Sequence, residues 1–396
     1  MLTYPMDARG GMRKYEYLYS RIKEDILTGA LKAGERLPSK RELSEHLGVS
    51  VVTVEGAYSQ LMDEGYITSR PKSGFFVSRL SRPGSMAAQP EIMAQADVAA
   101  QADIAARAGA TAQAGAAAQT REFLGGPASS ARFRQLPETP ADFPFTPLLR
   151  IIREVLNDYR DQLLLRPPNA GCPEFREAVA SYLRRYRGME VQPQQVIIGA
   201  GAEYLYGLIA QLFPQEVVFG LEAESYEKIR LVYEAHRRET ELLPMDRYGI
   251  SSEGLRRATA GLLHITPFHS YPTGITAPAA KRYEYLNWAA ERKAFLVEDD
   301  FSSEFSSPRK PLETIYAMDR GASVIYLNTF TKSLAPSMRV GYMVLPERLL
   351  PRYQEVLGFY ACPVPALDQY VLAEYMNRGH FERRLNQIRR RLRDQG

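Results

Sequence analysis

Residues 324–345, VIYLNTFTKSLAPSMRVGYMVL, narrow the choice of fold more than any other stretch. Val324, Ile325, Tyr326 and Leu327 form a short apolar run of β-formers and Val340 to Leu345 form another, which predicts two buried strands of one sheet. The polar connection between them carries a lysine, Lys332, flanked by Thr329 and Thr331, with Arg339 at the mouth of the second strand. A lysine amine at a strand end can form an imine with an aldehyde if burial and a nearby cation lower its pKa. Arg339 offers a planar fork for a phosphate, and the threonine hydroxyls can add hydrogen bonds. Together they suit a phosphorylated aldehyde.

A second stretch, AFLVED at 294–299, runs apolar into acid. Asp299 is therefore expected at the carboxyl end of a buried strand, where open α/β sheets place their ligands. Pyridoxal phosphate needs such a carboxylate against its pyridine nitrogen. Upstream, QQVIIGAGAEYLYGLIAQLF, EVVFGLEAESYEKIRLVYEAH, LLHITPFHSYPTGIT and KRYEYLNWAAERK alternate strand and helix patterns, so the fold class is α/β with a mainly parallel sheet. Amides at Gly201 and Ala202 open a helix N-terminus that can take a phosphate. His264 reads as a core or edge histidine and His269 as a loop residue, and neither has metal-ligand spacing.

The amino terminus has a different texture. Leu18, Ile22 and Ile26 lie four apart and Gly29 supplies a stop, which predicts one amphipathic helix. LPSKRELSEHLGVSVVTVEGAYSQLMDEGYI then predicts two helices with a tight turn at Gly48, the first opened by a capping box of Ser39 and Glu42. The second, about Val51 to Glu64, is placed to enter a major groove. ITSRPKSGFFV follows as a two-stranded wing, with Arg70 and Lys72 able to meet phosphates.

A chain of 396 residues exceeds one ordinary core, so two or more domains are expected. The net charge is only +4, so a basic nucleic-acid surface must be local. Cys172 and Cys362 follow no metal spacing and read as reduced and structural; with no apolar membrane span and no signal peptide, a cytoplasmic protein is expected. From Ser81 to about Thr120 the composition shifts to Ala and Gln with few large apolar residues, the pattern of a tether.

TFTKSLAPSMRVGY resembles the lysine signature of the fold type I aminotransferases, and the EDD after AFLV resembles their pyridine-partner strand. With ITPFHSYPTG at 265–274 and EDDFSSEF at 298–305, the chain is similar to the MocR/GabR-type transcription regulators, which join a GntR-type winged helix to an aminotransferase-like domain. LPSKREL, LGVS, TV, AY and GFFV carry the likeness to the winged helix. The resemblance implies a winged helix at 13–79, a linker at 80–120 and a fold type I domain at 121–396. It also implies pyridoxal 5'-phosphate as cofactor, double-stranded DNA and an amine or amino-acid effector as partners, and a homodimer. Carried over by position, Lys332 forms the imine, Asp299 holds the pyridine nitrogen, and Arg339, Thr329, Thr331, Gly201 and Ala202 surround the phosphate. Tyr226 either stacks on the pyridine face or caps a core. On DNA, Ser39 and Arg41 make contacts, Ser50 and Thr53 meet the backbone, Lys72 serves the wing and Gly74 lets it approach the minor groove.

Several positions depart from the pattern. Val51 stands where arginine is usual, which leaves at most a thymine-methyl contact. Phe301 replaces a tyrosine that bonds the cofactor's phenolic oxygen, a loss of about 1 kcal/mol, with Tyr271 as the candidate substitute. Glu224 replaces a proline and Phe175 a leucine. The sequence stops after GHFERRLNQIRRRLRDQG, where the family continues into a small subdomain bearing a carboxylate-gripping arginine, so a C-terminally incomplete domain is expected. The leading expectation is a regulator that uses its cofactor domain as a sensor. An active aminotransferase with an appended DNA reader, and a member that no longer responds, are the alternatives.

Overall fold

The computed structural model describes residues 2–70, 73–80, 143–305 and 311–394. Lys72 and all but Leu80 of the expected linker lie outside the described residues.

The head begins with α1 (Lys14–Thr28), which buries Leu18, Ile22 and Ile26 and ends at Gly29 in the left-handed conformation. After β1 (Arg36–Leu37) comes α2 (Lys40–Leu47). Its capping box is complete: the Glu42 amide donates to Ser39 Oγ at 3.3 Å and the Ser39 amide to Glu42 Oε2 at 2.8 Å. A left-handed Gly48 turns the chain into α3 (Val51–Asp63), which buries Val54, Tyr58 and Leu61. The wing is the antiparallel pair β2 (Ile67–Arg70) and β3 (Gly74–Val77), and β1 joins it in the order β1-β3-β2.

The body opens with α4 (Phe145–Asp158) and α5 (Pro173–Tyr182), then β4 (Val196–Gly199) and α6 (Ala202–Leu212). β5 (Phe219–Glu222), α7 (Glu227–Ala235) and β6 (Thr240–Leu243) follow, then a hairpin of β7 (Met245–Asp246) and β8 (Gly249–Ile250) and the short α8 (Ser252–Arg257). The centre is built from β9 (Leu262–Ile265), α9 (Ala279–Arg292), β10 (Phe295–Asp299), α10 (Ile315–Asp319), β11 (Val324–Thr329) and β12 (Gly341–Val344). Three helices close it: α11 (Leu350–Leu357), α12 (Ala366–Asn377) and α13 (His380–Asp394).

The seven-stranded sheet has the order β4-β12-β11-β10-β9-β5-β6, parallel except that β12 runs against both its neighbours. Side chains alternate between two cores: Leu296, Val324, Tyr326 and Val344 pack on one face, and Val297, Ile325, Leu327 and Met343 on the other. Burial on both faces is why these strands read as unbroken apolar runs.

Head and body meet where α3 ends. The Glu64 carbonyl accepts from the Ala279 amide at 2.8 Å and from Arg282 Nη2 at 3.0 Å. Arg282 Nη1 donates to the Glu313 carbonyl, Tyr66 OH to Glu313 Oε2 at 2.8 Å, and Lys23 pairs with the same carboxylate. Tyr19 OH donates to Glu64 Oε2 at 2.6 Å. Burial, reinforced by Glu313, raises the Glu64 pKa. Gly65 has φ +80°, and a Cβ there would lie 2.8 Å from Pro278 Cβ, so the corner requires glycine.

Candidate functional site

Strand register assembles the site. Asp299 pairs with Leu327 across β10 and β11, while Gly341 at the start of β12 pairs with both Thr329 and Gly199. The end of β10, the Lys332 loop, Arg339 and the Gly199–Ala202 turn are thereby gathered at one edge of the sheet.

Three consecutive acids at this edge have three destinations. Glu298 accepts from the Ile315 and Tyr316 amides, each at 2.8 Å, at the start of α10, and burial pushes its pKa up to about 8. Asp300 pairs with buried Arg187 at 2.8 Å and accepts from Tyr326 OH at 2.9 Å. Asp299, 6% exposed, accepts from Tyr206 OH through Oδ2, with His264 Nε2 at 3.5 Å; His264 Nδ1 in turn lies 2.7 Å from Tyr233 OH.

Lys332 faces this group. Burial pushes its pKa down to about 8, against a smaller opposing pull from Asp299. Its Nζ lies 4.0 Å from the centroid of the Phe301 ring, so the residue that departs from the expected tyrosine forms an apolar wall beside the amine. His269 is close enough that burial and the Lys332 charge both lower its pKa. Beside Lys332, Ser333 Oγ is buried without a hydrogen-bond partner. Glu222, at the end of β5, accepts from the Thr266 amide and Ser270 Oγ, each at 3.2 Å, and burial pushes it up to about 8.

Arg339 adopts a left-handed backbone, φ +46°. Its Nη2 would lie 3.0 Å from a Cβ at Gly201, so glycine there leaves the guanidinium lying over the turn that opens α6. The same nitrogen bonds Glu203 Oε2 at 2.7 Å, and Lys228 Nζ lies 3.7 Å from Glu203 Oε1. Tyr226 and Tyr271, both exposed, meet edge to face at 5.9 Å, with Lys228 5.7 Å from the Tyr226 ring. Thr329 is held by its amide, which donates to Asn328 Oδ1 at 2.6 Å, and Thr331 is half-buried beside Lys332.

On the head, Ser39, Arg41 and Ser50 are exposed and Thr53 is half-buried. Ser50 Oγ caps α3, accepting from the Thr53 amide at 3.2 Å, and lies 2.9 Å from Thr53 Oγ1. Val51 and Val52 stand 43% and 66% exposed at the start of α3. Gly74 has φ +105° beside Arg36, and Arg70 stacks on the Phe76 ring at 4.6 Å. Sequence reasoning missed Tyr206, Glu203 and Lys228. Of these only Glu203 carried a signal, as an acid in the first turn of the helix expected after the glycine turn.

Residues 14–77 match the family model of bacterial regulatory proteins, gntR family, and residues 142–395 match that of aminotransferase class I and II. The chain belongs to the MocR/GabR-type transcription regulators, in which a gntR-type DNA-binding head is joined to an aminotransferase class I and II body. It is 32% identical over 376 residues to the uncharacterized HTH-type transcriptional regulator YdeL of Bacillus subtilis, covering 95% of this chain and 76% of YdeL. The probable rhizopine catabolism regulatory protein MocR of Rhizobium meliloti is 30% identical over 409 residues (98% and 76%). The pyridoxine biosynthesis transcriptional regulator PdxR of Corynebacterium glutamicum is 30% identical over 386 residues (94% and 75%). Among solved structures, LysN, the alpha-aminoadipate aminotransferase of Thermus thermophilus, superposes with a TM-score of 0.55 at 26% identity, covering 63% of this chain and 64% of that one. An archaeal alanine:glyoxylate aminotransferase gives 0.54 at 25% (61% and 62%). The chain thus spans less than two thirds of the length of these two enzymes. Among the described residues, no helix is long and apolar enough to cross a membrane.

Proposed function

We propose that this DNA-binding regulator holds pyridoxal 5'-phosphate in its body and uses it to sense an amine or amino acid. The observation that carries the proposal is Lys332, a half-buried lysine with Nζ against the Phe301 ring, whose pKa is pushed down to about 8 beside Asp299. The donor set fits the cofactor: an amine, a carboxylate, and a guanidinium over a glycine turn at a helix N-terminus, where a Cβ at Gly201 would fill the cradle. Bound there, pyridoxal phosphate supplies an aldehyde that exchanges amines and a ring that withdraws electrons.

With a pKa of about 8, Lys332 keeps a far larger neutral, nucleophilic fraction near physiological pH than an ordinary lysine does. Asp299, oriented by Tyr206, would offer a carboxylate oxygen to the pyridine nitrogen. Arg339 and the amides at Gly201 and Ala202 would hold the phosphate, with hydroxyls from Thr329 and Thr331, and Tyr226 and Tyr271 would line the site. Lys332 is the residue with which an effector amine would compete for the bound aldehyde. Phe268, in the loop after β9, packs 5.6 Å from Arg282, which bonds the end of α3, so a change at the loop has a physical route to the head.

In the head, Ser39, Arg41, Ser50, Thr53 and Gly74 face double-stranded DNA, with Lys72 at the wing. The protein acts in the cytoplasm as a homodimer, with a winged helix at 13–79 and a body at 121–396. The test is an absorbance titration with pyridoxal phosphate. The wild-type chain gains the yellow band of a lysine-bound cofactor and Lys332→Ala does not; a wild-type chain that stays colourless defeats the proposal. Adding amino acids with a keto acid then separates sensing from turnover, since sensing shifts the band without accumulating product.

A further inference from the structure

The phosphate end of the pocket contains an anion of the protein's own. Glu203 lies in the first turn of α6, two residues after the Gly201 cap. Its Oε2 is 2.7 Å from Arg339 Nη2 and its Oε1 is 3.7 Å from Lys228 Nζ. The arginine nitrogen it engages is the one that lies over the Gly201 turn. Burial alone would raise the Glu203 pKa, but the Arg339 hydrogen bond, its own backbone amide and the Arg339 and Lys228 charges outweigh it and hold the carboxyl below its ordinary value. Glu203 is therefore an anion at neutral pH.

A phosphate monoester brings about −1.5 to −2 charges to the same turn. It must either displace Glu203 from that Arg339 nitrogen or sit beside a like charge and share the Arg339 and Lys228 cations with it. The Glu203 side chain is 36% exposed, so it has room to swing into water.

We propose that Glu203 is an affinity-setting residue whose carboxylate competes with the cofactor's phosphate for Arg339 and so keeps the cofactor exchangeable. This rests on the reading that the pocket takes pyridoxal phosphate. The class of ligand it discriminates is defined by the phosphate, since pyridoxal, which lacks that group, has no claim on Arg339.

The experiment titrates the full chain and its Glu203→Gln and Glu203→Ala variants with pyridoxal phosphate and, separately, with pyridoxal, following the yellow lysine adduct. Both variants are expected to bind pyridoxal phosphate about three- to tenfold more tightly, the scale of a half-exposed ion pair and its like-charge counterpart. Pyridoxal is expected to bind all three chains alike. With pyridoxal phosphate held well below its Kd, inorganic phosphate should compete at correspondingly lower concentration in the variants. A yellow complex of equal affinity in all three chains overturns the role of Glu203 alone. Equal tightening toward pyridoxal overturns it too, because the effect would then not depend on the phosphate. No yellow complex in any chain overturns the cofactor reading and this proposal with it.

Discussion

Partial burial pushes the Lys332 ammonium down to about 8 from the ordinary 10.5. The neutral amine is the nucleophile, so cofactor attachment should accelerate as pH rises through about 8 and level off above it, as stopped-flow absorbance would show. Phe301→Ala admits water beside Nζ and should move that midpoint upward, toward the ordinary value. The sign for stability follows the same shift: between about 8 and 10.5 the unfolded chain binds more protons than the folded one, so this residue's contribution to stability increases with pH across that window. At the head, Val51→Ala should weaken binding to a site selected from random DNA by about 1 kcal/mol, and if Val51 reads a thymine methyl, uracil at that position should cost the intact protein a similar amount. Asp299 was legible as a strand-end acid because it closes an apolar run, and Lys332 as a candidate because it is the one lysine in the polar connection between two such runs. The Glu203–Arg339 bond joins positions 136 apart and the Tyr206–Asp299 bond positions 93 apart, and no local pattern announces either.

Among the elements, the junction of α3 with α9 offers the sharpest test. Arg282→Ala would leave the Glu64 and Glu313 carbonyls short of a buried donor, at a cost of roughly 2–4 kcal/mol in denaturant unfolding. Gly65→Ala at φ +80° should also destabilise, because the added methyl meets Pro278. The capping box of α2 was visible beforehand because Ser39 and Glu42 stand three apart in the chain. The direction of β12 was not. An apolar run marks a strand but not its sense, and here the sense is set by pairing with β4, whose residues come far earlier in the sequence.

The molecule as a whole joins a reader of DNA to a body built like an amino-acid enzyme. Sedimentation should give about twice the 44.7 kDa chain mass, as a homodimer requires. The logarithm of its DNA affinity should fall linearly with the logarithm of salt concentration, as released counterions dictate. A net charge of +4 could not forecast the strength of that dependence, because only the cations facing phosphate count.

The Glu64 carbonyl gives the protein a built-in reporter. It accepts the amide proton of Ala279, so that single proton is shielded only while the last turn of α3 stays seated. Deuterium uptake at Ala279, followed with and without an effector amine, would therefore time the unseating of the reading helix in a protein carrying no label and no DNA.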